Sequence, residues 1–157
     1  MSFLNQAIYY LSSFAGIGAL IAASFFIVNK EGALTHSAIE VKKKAILLFN
    51  IWLLSAALKI VLNLADILDG SIDSALQIST LKSFLSQTSL GKALLIQLIA
   101  IALIALALNL IKRALPLIIF SGISLITIAI PVFQSHAASN GSHALAIGAL
   151  VTHVVSL

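Results

Sequence analysis

The sequence contains no cysteine, and its one methionine is the first residue. Disulfides, iron–sulfur clusters and thiolate metal sites are therefore excluded, and any soft-metal chemistry must rest on histidine nitrogen or on oxygen. Charge is scarce as well. Only 9% of the 157 residues are Asp, Glu, Lys or Arg, against about 25% in an ordinary soluble domain. So few charges cannot cover a folded surface in water. Nucleotide-binding loops, paired catalytic carboxylates and a nucleophile–base pair are also missing, so no enzyme is expected. Gly16 and Gly18 sit inside an apolar run with no preceding strand, which rules out a phosphate-binding turn.

What is present is overwhelmingly apolar: 61% of residues are hydrophobic and the mean hydropathy is +1.14. Crossing a hydrocarbon core of about 30 Å takes roughly 20 apolar residues, which leaves room for four or five spans and no separate soluble domain. The expected fold is all-α, a polytopic transmembrane helix bundle with four full spans at 8–28, 45–68, 90–111 and 115–133 and the start of a fifth from 144. No Lys or Arg precedes the first run, so it reads as a retained span rather than a signal peptide. Its small residues, including Ala15, Gly16, Gly18 and Ala19, allow close helix approach in lipid. Residues 29–44 read as a polar loop. In 74–86, Leu76, Phe84 and Leu85 interleave with Gln77, Ser83 and Ser86, which predicts a short helix lying at the interface. Lys112, Arg113 and Pro116 mark a tight turn into the fourth span. The last 14 residues make only about 21 Å of helix, too short to span. The expectation is one domain over 1–157, the N-terminal part of a longer membrane protein cut within its fifth span.

The net charge of +4 falls in clusters between apolar runs, where it speaks to topology rather than to nucleic acid. Lys30, Lys42, Lys43 and Lys44 follow the first span, and Lys112 and Arg113 follow the third. The segment after the second span has Lys82 alone, and that after the fourth has neither Lys nor Arg. Positive-inside counting then predicts a multi-pass plasma-membrane protein with its N-terminus outside. Lys92, just inside the outer end of the third span, can snorkel to the headgroups.

Two groups of side chains could carry chemistry. His136 and His143 stand seven apart in a loop with Ser139, Asn140, Gly141 and Ser142, so both could fold over one ion. His153 lies ten residues beyond His143, about 15 Å farther along a helix, and ionisable groups at that depth are costly and usually functional. Neutral imidazole suits Cu, Zn, Fe and Ni. The plainer alternative is two exposed loop histidines and one buried histidine bonded to a neighbour; His36, in the basic loop, reads as solvated. The second group is Lys59, Asn63 and Asp66, whose spacing places them on one helix face, with Gln97 of the third span at a similar depth. These residues either line a polar pathway or orient the helix by snorkelling and a local ion pair. Asn50 and Asn109 are candidates for helix–helix hydrogen bonds, and Trp52 suits packing or an interfacial position.

Ser135-His136-Ala137-Ala138, a short polar gap, His143, and then Leu150-Val151-Thr152-His153-Val154-Val155 together resemble the copper resistance D (CopD) family. That family has a Gly/Ser-His-Ala motif after one span and a histidine within the next. The stretch Leu81-Lys82-Ser83-Phe84-Leu85-Ser86-Gln87-Thr88-Ser89-Leu90-Gly91-Lys92-Ala93-Leu94-Leu95 is similar to an actinobacterial type in which the CopD-like half is fused to a cytochrome c oxidase assembly domain. Leu150 stands where many members carry Asp. The resemblance implies a protein that moves copper across the membrane, or holds it for delivery to an oxidase. His136, His143 and His153 would be the ligands, and copper chaperones or oxidase subunits the partners. Two rival readings remain at this point: a haem-binding electron-transfer bundle with axial histidines, and an assembly scaffold without metal.

Overall fold

The computed structural model describes residues 3–25 and 32–131. These form six helices: α1 (Phe3–Phe25), α2 (His36–Ile67), α3 (Ile72–Ala75), α4 (Ile78–Gln87), α5 (Ser89–Leu110) and α6 (Ala114–Ala129). The protein is thus an all-α membrane bundle, and α1, α2 and α5 are long and apolar enough to cross a bilayer. The helix α6 is apolar but has 16 residues, about 24 Å of helix. The expected count of four full spans is therefore met only in part, and the start of a fifth lies outside the described residues.

Two expectations need correction. The polar loop 29–44 ends early, because α2 starts at His36, nine residues before the predicted span. Thr35 caps it, its side chain accepting from the Ala38 N–H at 3.3 Å. The buried residues Ala38, Lys42, Ala45, Phe49, Trp52 and Ala56 then recur at alternate steps of four and three. This unbroken stripe keeps the segment helical through its three lysines. The predicted interfacial helix is likewise two helices, α3 and α4, separated at Leu76 and Gln77.

The helix α1 runs antiparallel to α2. Asn5 Nδ2 donates to the Ser55 carbonyl at 3.2 Å, and farther along Gly16 lies against Phe49, where a Cβ would come within 3.1 Å of the ring. The buried hydroxyls of Ser12, Ser13, Ser24, Ser121, Ser124 and Thr127 all donate to carbonyls three or four residues back in their own helices. Small self-satisfied groups of this kind let α1 and α6 meet closely without stranding a polar atom. Outward faces are greasy. On α5, Leu94, Ile101, Ile104 and Leu108 are buried while Ile96, Ile99, Leu103, Leu106 and Leu110 are exposed, as lipid requires of an apolar helix.

The two ends of the bundle are built differently. At one end the 32–34 segment pairs with the α5–α6 turn: Leu34 N–H donates to the Lys112 carbonyl at 3.4 Å and Ala114 N–H to the Gly32 carbonyl at 3.0 Å. Gly32 takes φ +73° there, a conformation open to glycine. Lys42 reaches the same turn, and its Nζ donates to the Ile111 carbonyl at 2.7 Å. A cation at the C-terminus of α5 also suits the helix dipole. Both basic connections are thereby gathered at one end. At the other end α2 stops in a left-handed turn, Asp69 at φ 54° and Gly70 at φ 86°, with Gly70 N–H returning to the Ala65 carbonyl at 2.8 Å. Beyond it, α4 joins α5 at Thr88. This hydroxyl donates to the Phe84 carbonyl at 2.8 Å and accepts from the Gly91 N–H at 2.9 Å.

Candidate functional site

A polar junction sits inside this apolar bundle, where α1, α2, α5 and α6 converge. Its centre is Tyr9 of α1, only 1% exposed. Gln97 of α5 is equally buried, and its Nε2 donates to the Tyr9 hydroxyl at 2.6 Å and to the Thr127 carbonyl of α6 at 2.8 Å. Trp52 of α2 meets Tyr9 edge-on, with ring centroids 6.1 Å apart, and Phe49 packs edge-on against Trp52 at 5.4 Å. Over the Tyr9 ring lies the Lys59 ammonium, 4.4 Å from the centroid. A π face that accepts a cation removes part of the cost of bringing lysine into a bilayer.

The side chains expected on one polar stripe differ in their exposure. Lys59 is half-buried and turns to Tyr9. Asn63 donates back to the Lys59 carbonyl at 2.8 Å. Asp66 is exposed on the outside of α2. Gln97 alone enters the core, and it bonds to Tyr9 and Thr127, which pattern reading did not single out. The clue to Tyr9 was weak: a tyrosine at the start of an apolar run, whose hydroxyl needs a partner when buried. Asn109 donates within its own helix, to the Ala105 carbonyl at 2.9 Å, and Asn50 is exposed, so neither joins helices within the described chain.

His36, the one histidine among the described residues, is exposed at the start of α2. His136, His143 and His153 lie outside the described residues. Among the described residues no three His, Asp or Glu side chains are grouped to hold a metal ion. The α4–α5 joint explains part of the stretch 81–95. A Cβ on Gly91 would fall 2.1 Å from the Phe84 carbonyl oxygen, so Phe84, Thr88 and Gly91 are what a tight helix-to-helix corner requires.

Residues 4–153 match the family described as copper resistance protein D-like, N-terminal domain. The chain belongs to this family. The matched range takes in α1 to α6 nearly whole and extends across all three C-terminal histidines. No curated relative and no solved structure matches the chain. The polar groups of the junction join helices, Gln97 of α5 bonding to Tyr9 of α1 and to Thr127 of α6.

Proposed function

We propose that this membrane domain handles copper, taking the ion at His136 and His143 on the outer side and passing it to His153 deeper in the bilayer. The observation that carries this reading is the family match, which spans 4–153 and so includes all three histidines. Composition supports it. Without Cys or an internal Met, imidazole is the only nitrogen or sulfur side chain here suited to copper. The polar junction supports it indirectly. A fixed ammonium at Lys59 repels a cation, so Tyr9, Gln97 and Lys59 act as structural ties and the ion takes another route. The orientation proposed is N-terminus outside, with Lys42–Lys44, Lys112 and Arg113 on the cytoplasmic side, because one end of the bundle holds both basic connections. Delivery to an oxidase, rather than resistance alone, rests on the likeness of 81–95 to the oxidase-fused type.

The test is copper stoichiometry and cellular copper content for His136→Ala, His143→Ala and His153→Ala in the full-length protein. The loop variants should weaken loading roughly tenfold or more each, while His153→Ala should leave surface binding and block passage. Unchanged binding and phenotype in all three would return the metal-free scaffold, and a strong Soret band in the purified protein would return the haem reading. Orientation is checked separately. The chain has no cysteine, so single Ser37→Cys and Ser86→Cys variants report cleanly to an impermeant thiol reagent in intact cells. Ser86→Cys should label and Ser37→Cys should not; the reverse inverts the topology.

A further inference from the structure

We infer that the Tyr9–Trp52–Gln97 junction is a binding site for one internal water molecule, which accepts from the Trp52 indole N–H and donates to Gln97 Oε1. The inference starts from the orientation of the Gln97 amide. Its Nε2 faces the Thr127 carbonyl at 2.8 Å, and a carbonyl can only accept, so the amide cannot be flipped. The same nitrogen also donates to the Tyr9 hydroxyl. Gln97 Oε1 is left buried without a partner among the described residues, and so is Trp52 Nε1. The two orphans are complementary, one a donor only and the other an acceptor only. They are also neighbours: the Trp52 and Tyr9 rings meet edge-on with centroids 6.1 Å apart, and the Tyr9 hydroxyl is 2.6 Å from the Gln97 amide nitrogen.

A molecule that bridges them must accept at one side and donate at the other, and must fit between side chains in a packed core. Water does both, and buried waters typically make about three such bonds. The third is available from Tyr9, whose hydroxyl accepts from Gln97 and keeps its own hydrogen to donate. Lys59 supplies the entry. Its half-buried ammonium stands over the same Tyr9 ring, and an ammonium in a bilayer draws water to its depth.

The single tryptophan of the chain makes the test specific. X-ray hydroxyl-radical footprinting of the full chain in nanodiscs activates bound water in place. After correction for intrinsic reactivity, Tyr9 and Trp52 should be modified at least fivefold faster than Phe49, which is as deeply buried but carries no polar atom to hold water. Equal protection of all three overturns the site. Ultraviolet resonance Raman then reads the indole N–H directly. The Trp52 band should sit at its hydrogen-bonded position, persist in Tyr9→Phe, and move to the free position in Gln97→Met. Loss of the bond in Tyr9→Phe with retention in Gln97→Met would mean a direct Trp52–Tyr9 contact and overturn the proposal. Insensitivity to both variants would place the partner in another segment of the chain and overturn it equally.

Discussion

The two ends of the bundle solve the same problem, holding helices together where they leave the membrane, by different means. The end with the basic connections is tied by hydrogen bonds across the chain: backbone pairing of 32–34 with 112–114, and Lys42 on the Ile111 carbonyl. The end with α3 and α4 is shaped by steric closeness, above all Gly91 under the Phe84 carbonyl. A hydrogen-bonded tie fails in steps, as each bond is lost. A steric corner fails at once, because backbone cannot yield as a side-chain tip can.

This contrast predicts a ranking. Gly91→Ala should be the most damaging, since its Cβ would meet backbone at 2.1 Å. We expect a loss of about 3 kcal/mol, at the upper end for overpacking, read as a large drop in the melting temperature in detergent. A fully stable Gly91→Ala protein would show that the corner can open and would undo the comparison. Next comes Lys42→Met, which keeps the length of the side chain but leaves the Ile111 carbonyl without its charged donor. The expected loss is roughly 2 kcal/mol, in the range for hydrogen bonds to charged groups, with melting again the measure. The smallest effect is expected at Lys59→Met, about 1 kcal/mol or less. There the lost cation–π contact is offset by relief from carrying an ammonium in lipid. Should Lys59→Met prove as harmful as Lys42→Met, the π face would be as good an anchor as a carbonyl.

The sequence announced some of this architecture plainly and concealed the rest for physical reasons. The helix α5 lies within one residue of the predicted span, because an unbroken apolar run fixes both its length and its period. The start of α2 was obscured by Lys42–Lys44. A charge triplet reads as loop, yet Lys42 occupies a position on the buried stripe between Ala38 and Ala45 and is itself only 8% exposed. Thr35 was the available signal, a capping residue ahead of a stripe spaced in fours and threes. Pattern places Gln97 and Lys59 at a similar depth but does not add Tyr9 and Thr127 to them. Depth is a property of one helix, whereas the junction depends on which helices are neighbours, and the adjacency of α1 with α6 leaves no mark in local pattern. The proposed copper ligands were legible only by family likeness, since three histidines without a fixed ligand spacing carry little geometry of their own.

The self-satisfied hydroxyls have a mechanical consequence. Because Ser12, Ser13, Ser121, Ser124 and Thr127 each return their hydrogen to their own helix, much of the α1–α6 contact holds no polar bond across it. Among the described residues, the α5–α6 hairpin is fastened to α1 and α2 at two levels, by Gln97 on Tyr9 near one end and by Lys42 with the 32–34 pairing at the other. A panel fixed at two points along one edge resists sliding, which would break both fastenings. Between those two levels the helices are held by apolar packing, which lipid chains of similar character do little to strengthen, so the polar bonds of Gln97 and Lys42 fix the register of the hairpin against its neighbours.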